Sequence, residues 1–239
     1  MAGGLALELD RDGYALRRGL LDVVEITELR GECERLQATA GQACVRDLLQ
    51  RSMTISRLAA KLAAGGTLSP IDGQQPVRGI LFDKTPGENW PVAWHQDLSI
   101  AVRDRPGGQS APPPTGYGAP TQKDGVPHLQ APAQLLEQMV TVRLHLDDTP
   151  AENGALQLVP GSHHDGRIDH DDIARRIADH RTATCEASPG DALLMKPLII
   201  HASRRARAGS PHQHRRVIHL EFAPGEALHP QLQWHERPC

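Results

Sequence analysis

His95 and Asp97 stand two residues apart in a segment with the texture of a β-strand, PVAWHQDLSI over 91–100. A strand sends successive side chains to opposite faces, so this spacing puts both on one face and Gln96 on the other. One imidazole and one carboxylate converging in this way make two-thirds of a facial metal triad. A histidine from a distant strand would complete it and leave three coordination positions open, the arrangement used by non-haem Fe(II) oxygenases. Two open positions suit a chelating 2-oxo acid and the third suits O2. The chain has 13 histidines, so an HxD pair arises readily by chance. An ordinary hydrogen-bonded strand histidine is the competing reading, and position along the chain has to decide.

The remaining pieces lie in the C-terminal half. Gly190-Asp191 opens a strongly apolar run that ends in His201, and the pattern predicts one strand over 192–201. Arg215-Arg216 then enters a further strand, VIHLEF. A guanidinium beside a metal is a planar, two-pronged partner for a carboxylate and suits the far carboxylate of 2-oxoglutarate. Arg215 shares parity with Val217 and His219, whereas Arg216 shares it with Ile218, Leu220 and Phe222, which read as the layer facing helices. Arg215 is therefore the choice for the co-substrate, with Arg216 the alternative by one register.

The elements that must position these groups follow from patterning. Leu21, Val24, Leu29, Cys33 and Leu36 approximate helical spacing, with Asp22 and Glu25 placed as a capping box. A second helix is expected over about 45–64, ended by Gly65-Gly66. Strands are expected over 77–84, 91–100, 139–146, 155–159, 192–201 and 215–222, with a short helix over 169–180. Residues 105–133 are dense in Pro, Gly, Ser and Gln and read as an irregular, lid-like insertion. Short strands without regular strand–helix alternation favour an antiparallel jelly roll. One domain of 239 residues is expected, with a helical layer in 1–68 and a β-helix core in 69–239.

Composition narrows the partners. A net charge of -3 gives no basic footprint for nucleic acid, and no apolar run is long enough to span a membrane. The first ten residues lack the pattern of a signal peptide. Cys33, Cys44, Cys185 and Cys239 are scattered and read as reduced thiols in a cytoplasmic protein.

Four segments together resemble the phytanoyl-CoA dioxygenase family: WHQD at 94–97, ENGALQLVPGSH at 152–163, GDALLMKPLIIHAS at 190–203 and RRVIHLEF at 215–222. The start, DGYALRRGLLD at 12–22, is also similar to how such proteins begin. The resemblance implies a mainly β, double-stranded β-helix (jelly-roll, cupin-like) fold with flanking helices. It implies Fe(II) on His95, Asp97 and His201, 2-oxoglutarate on Arg215, and O2 and a small-molecule substrate as reactants, with succinate and CO2 released. Because Asp97 is present, hydroxylation is preferred over the halogenation of relatives that lack this carboxylate. A non-catalytic metal- or small-molecule-binding β-helix and a zinc hydrolase are the alternatives. His163 and His164 read as supporting or surface groups, His212 and His214 as solvated in a polar turn, and Trp90 and Trp94 as packing. Arg143 and His145 share one strand face and line the pocket if that face is inward. His128 falls in the insertion without an assigned role.

Overall fold

The computed structural model describes residues 2–103, 112–207 and 214–236. Helix α1 (Ala2–Asp12) leads into strand β1 (Tyr14–Arg17), followed by α2 (Val23–Ala40), β2 (Cys44–Val45), α3 (Leu48–Arg51) and α4 (Met53–Ala63). Next come β3 (Gln75–Asp83), β4 (Val92–His95), β5 (Ser99–Ala101), β6 (Pro120–Lys123), β7 (Val126–Gln130), α5 (Ala133–Gln138), β8 (Val140–His145) and β9 (Leu156–Leu158). The chain ends with α6 (His170–Asp179), β10 (Ala183–Cys185), β11 (Ala192–Met195), β12 (His201–Ser203) and β13 (Arg216–Ala223). The strands pair antiparallel in a major sheet of order β1-β11-β8-β13-β3-β2 and a minor sheet of order β10-β9-β12-β4. A third sheet, β5-β7-β6, flanks them. This is the jelly roll expected from the short, mostly antiparallel strands.

Strand alternation explains how the layers meet. Val142 and Leu144 of β8, Leu194 of β11, and Ile218, Leu220 and Phe222 of β13 pack with Leu29, Cys33 and Leu36 of α2 and Ile55 and Leu62 of α4 in one core. The opposite residues of β11, Leu193 and Met195, pack with Leu156 and Leu158 of the minor sheet. Yet β8 and β13 are buried at every position. Their inner-face residues, among them Arg143, His145, His219 and Glu221, are polar and enclosed. A strand with one polar face is normally half-solvated; here the polar face lines the interior.

Several expectations need correction. The helix over 45–64 is two helices, because Ser52 adopts extended backbone (φ -139, ψ 110) and its side chain accepts from the Ile55 N–H to cap α4. The capping box at Asp22 and Glu25 forms, but Val24 is exposed and Ile26 takes its place in the core. Strands β1 and β2, inside the segment read as wholly helical, join the two edges of the major sheet. The run 192–201 is not one strand: β11 lies in the major sheet and β12 in the minor one, and the chain crosses between them through Lys196-Pro197. Within 105–133, residues 104–111 lie outside the described part, but 120–130 form a hairpin. Its turn is Asp124-Gly125 with both φ values positive (51 and 79), a two-residue turn whose twist matches that of paired strands. The expectation of an irregular segment overlooked that dipeptide.

Arg216 takes the helix-facing side. Its Nε and one terminal nitrogen donate to the two Asp147 carboxylate oxygens, at 2.9 Å each, and the other terminal nitrogen donates to Glu34 of α2 at 3.1 Å. Both members of the Arg216–Asp147 pair are largely enclosed (8% and 12% side-chain exposure). Removing one partner from such a pair strands a buried charge. Arg216→Ala is expected to lower the unfolding free energy by about 3 kcal/mol, the low end of that effect because Arg30 also touches Asp147. Urea titration with an unchanged slope checks it; a loss under about 1 kcal/mol would mark the pair as solvated.

Candidate metal centre

His95 is the last residue of β4 and His201 the first of β12, and the two are direct partners across the antiparallel ladder. Their ring centroids lie 4.3 Å apart. Each imidazole is held in the same way: Nδ1 of His95 faces the Ala93 carbonyl at 2.8 Å, and Nδ1 of His201 faces the Ile199 carbonyl at 2.9 Å. A carbonyl only accepts, so the proton sits on Nδ1 in both neutral rings and the Nε2 lone pairs are free to bind a cation.

Asp97 does not lie on the strand, as the 91–100 pattern had implied; β4 stops at His95 and β5 begins at Ser99. The intervening residues are fixed by other means. The Asp97 N–H donates to the Pro197 carbonyl at 2.9 Å. Gln96 turns the other way, donating to Leu198 and Gly166 carbonyls and accepting from the Ile168 N–H. Asp97 is thus tied to the crossover that leads to His201. Its oxygens sit 3.5 Å from His95 Nε2 and 3.6 Å from His201 Nε2. One ligand atom from each of the three residues lies within 4.8 Å of the others, and this is the only such group among the described residues. Asp97 Oδ2 is buried without a hydrogen-bond partner among them. An unpartnered carboxylate oxygen between two Nε2 lone pairs is the donor set that a divalent cation satisfies. Burial opposes ionisation of Asp97, but His201 and His95 outweigh it and hold the carboxyl well below the usual range.

Beside the triad is a cavity of about 220 Å³ with Lys84, Arg143 and Arg215 in its wall. Arg215 immediately precedes β13 and points inward. It donates to the Gly154 carbonyl, and its Nε has no partner among the described residues. Gly154 (φ 71) leaves room for this: a Cβ there would meet the Arg204 carbonyl at 2.4 Å and Arg215 at 3.2 Å. Arg143 has its Nε unpartnered and one terminal nitrogen 3.0 Å from His219 Nδ1. Lys84 Nζ donates to Ser203 Oγ at 3.0 Å and the Arg204 carbonyl at 3.1 Å, 5.6 Å from the Trp90 ring centre. No carboxylate within ion-pairing distance neutralises any of the three among the described residues. Burial, joined by their mutual repulsion, pushes Lys84 down to about 7 and Arg215 to about 9, and burial pushes Arg143 to about 10.

Sequence reasoning missed Lys84, His219 and the neighbouring Arg78–Glu221 pair. The signal was present in the parity of His219 and Glu221 with Arg215, and of Arg78 with Phe82. The residues set aside stay outside the triad. His163 contacts the Asp10 carbonyl and His145 the Thr149 hydroxyl. His128 is buried against the Val126 carbonyl, and burial lowers it to about 4. His214 is exposed, as expected, and its ring also lies 2.8 Å from Asp83; His212 lies outside the described residues. Trp90 lines the cavity rather than only packing.

No helix among the described residues is long and apolar enough to cross a membrane. No curated protein matches the chain by sequence. Solved structures share its fold. The epimerase SnoN in complex with Fe3+, alpha ketoglutarate and nogalamycin RO aligns with TM-score 0.65 and 20% identity over 93% of this chain and 83% of that one. HygX from Streptomyces hygroscopicus, with nickel and 2-oxoglutarate bound, aligns with TM-score 0.65 and 18% identity over 95% and 88%. EctD from S. alaskensis with bound Fe aligns with TM-score 0.68 and 18% identity over 93% and 76%. At these identities the likeness speaks for the fold. A family model, Phytanoyl-CoA dioxygenase (PhyH), matches residues 9–217, and with so much of its length matched the chain belongs to the phytanoyl-CoA dioxygenase family.

Proposed function

We propose that this protein is a non-haem Fe(II), 2-oxoglutarate-dependent dioxygenase that hydroxylates a small organic molecule and releases succinate and CO2. The observation that carries the reading is the pairing of a three-donor metal set with a cavity of uncompensated buried cations. Such a cavity selects a compact dianion able to reach the metal with one end. His95, Asp97 and His201 hold the metal. Arg215 clasps the far carboxylate of 2-oxoglutarate, while Arg143 and Lys84 add positive potential along its length. Fe(II) held there supplies O2 activation coupled to oxidative decarboxylation of the co-substrate. The chain's part is to fix the donors, orient the dianion and keep the cavity dry.

Structural relatives named as an epimerase and a carbocyclase show that one fold serves several outcomes. Asp97 fills the third donor position, which favours hydroxylation over halogenation. Product mass decides: hydroxylation adds one oxygen atom, epimerisation leaves the mass unchanged and ring closure removes two hydrogens. Consumption of 2-oxoglutarate that requires Fe(II) tests the reaction class itself, and turnover supported by Zn(II) without 2-oxoglutarate would sink it.

Replacing His95, Asp97 or His201 with Ala is expected to abolish Fe(II)-dependent succinate formation while circular dichroism stays native. Arg215→Ala should weaken 2-oxoglutarate binding by on the order of 3 kcal/mol, roughly a hundredfold, in calorimetry with Ni(II) as an inert metal. Arg216→Ala should leave that affinity within about twofold, because Arg216 is committed to Asp147. Equal losses in the two variants would refute the division between them.

Lys84 gives a pH dependence. Its ammonium titrates at about 7 in the ligand-free protein, and a bound carboxylate raises that value, so binding takes up a proton. Affinity is therefore full below pH 7 and falls as pH rises above it, by up to about tenfold per unit. Lys84→Met should flatten the profile of the calorimetric constant above pH 7; a profile unchanged by that substitution would assign the proton to another group.

A further inference from the structure

A second cavity, of about 330 Å³, opens on His95 and Asp97 of the triad. It shares His95, Asp97, Phe82 and His219 with the first, so the two chambers meet at the metal donors and a molecule in each would face the same ion. The volume is at the low end for ligand pockets. Its wall combines a small apolar patch, Ile80, Phe82 and Leu98, with cations from three segments: Arg78 of β3, Arg46 of the loop after β2, and Lys123 at the turn of the β6–β7 hairpin.

These cations are unequally engaged. Arg78 is paired with Glu221 at 3.0 Å, and the same Glu221 oxygen also meets His219 Nε2 at 3.4 Å. Arg46 is bound to Asp124 through Nε alone, at 2.5 Å, which leaves its terminal nitrogens without a hydrogen bond among the described residues. Lys123 forms no ion pair among them. Lys123 is exposed at the rim; partial burial, then the repulsion of Arg78 and Arg46, lowers its pKa, and the opposing pull of Asp97 and Glu221 does not offset this. Asp97 is the one other carboxylate in this wall, and its charge is committed to the metal. Arg46, Arg78 and Lys123 outnumber Glu221 and Asp97 in this wall, and Lys123 is the cation without an ion pair among the described residues.

Resting on the dioxygenase reading above, we propose that this second chamber is the substrate site and that it selects a small molecule bearing an anionic group, a carboxylate or phosphate. Lys123 and the free end of Arg46 hold that group, and the Ile80–Phe82–Leu98 patch takes the carbon skeleton. The group lies at the hairpin rim and the carbon to be oxidised lies toward the triad. Lys123 is thus a specificity-determining residue supplied by the insertion rather than by the barrel. A neutral or long apolar substrate would leave the cations unpaired, and the chamber has little apolar wall to offset that.

The test fills the first chamber and then reads the second. Protein loaded with Ni(II) and saturating 2-oxoglutarate is titrated by ligand-observed NMR with N-acetyl amino acids and small sugar phosphates, each beside its neutral counterpart, the primary amide or the free sugar. The acids are expected to bind at least tenfold more tightly than their neutral counterparts. Lys123→Met should weaken the acids by tenfold or more without changing the neutral compounds, and Lys123→Arg should keep the preference. Which class of acid binds separates carboxylate from phosphate. Neutral compounds binding as well as their acids, no acid binding at all, or Lys123→Met leaving the acids untouched would each overturn the proposal. In those cases normal uptake of 2-oxoglutarate leaves the dioxygenase reading standing, whereas failure of the wild-type protein to take up 2-oxoglutarate with Ni(II) removes both.

Discussion

Three cations without carboxylate partners among the described residues, Lys84, Arg143 and Arg215, are enclosed around one cavity, and the surrounding architecture is arranged to make that tolerable. Removing an ion from water without a counter-ion costs several kcal/mol even after the protein relaxes. A fold carries such a cost only if the rest of it is strongly overdetermined. Here the opposite faces of the same strands supply that. Ile218, Leu220 and Phe222 of β13 and Val142 and Leu144 of β8 are fully enclosed against the helical layer, each contributing roughly 1.5–3 kcal/mol of burial. The helices thus turn a sheet that would otherwise have one wet face into one buried on both, and the inner face is free to be chemical.

The same logic explains why one candidate metal donor, Asp97, comes from a segment outside the strands. A continuous strand presents side chains only along its two normals, and two cross-strand histidines already occupy that geometry. A third donor aimed between them has to approach from outside the ladder. The chain does this by ending β4 at His95 and pinning Gln96 with three hydrogen bonds. Asp97 then bonds to the Pro197 carbonyl. Pro197 lies where the chain passes from the major sheet to the minor one, so one crossover fixes the Asp97 backbone and delivers His201 four residues later. This couples the triad's geometry to the packing of the two sheets rather than to any one loop.

Much of this was legible in the residues. The HxD spacing, the distant histidine and the arginine pair are type-and-spacing signals, and the parity of Arg216 with Ile218, Leu220 and Phe222 correctly put it on the helical side. What failed has common physical causes. An apolar run such as 192–200 reads the same whether it is one strand or two strands joined by a crossover, because both are buried; only Lys196-Pro197 marks the break. The hairpin at 120–130 was hidden by composition, since Asp-Gly is a turn signal whose flanking strands here are short and polar. Lys84 was invisible because nothing local distinguishes a lysine at the end of a strand from a solvated one. Its burial comes from Trp90 and the 203–204 segment, remote in sequence.

The two chambers share His95, Asp97, Phe82 and His219, and in the proposed reading they divide the labour of specificity. The first is walled by Arg143 of the central strand β8, by Lys84 and Arg215 flanking β3 and β13, and by Ser203 of β12, positions on or next to paired strands. The second draws Lys123 and Gln130 from a hairpin and Arg46 from a loop of the helical layer, segments held at the barrel's edge by few strand pairs. Loops and edge hairpins tolerate substitution far better than central strands. The cavity proposed for the co-substrate is therefore the constrained half of the site, and the cavity proposed for the substrate the adjustable half. His219, in both walls and hydrogen-bonded to Arg143 on one side and Glu221 on the other, is where the two halves touch. Because Arg143 can only donate, His219 Nδ1 must accept and its Nε2 proton faces Glu221, which fixes the ring orientation. His219 thus joins Arg143 of the first chamber to Glu221 of the second through the two nitrogens of one ring.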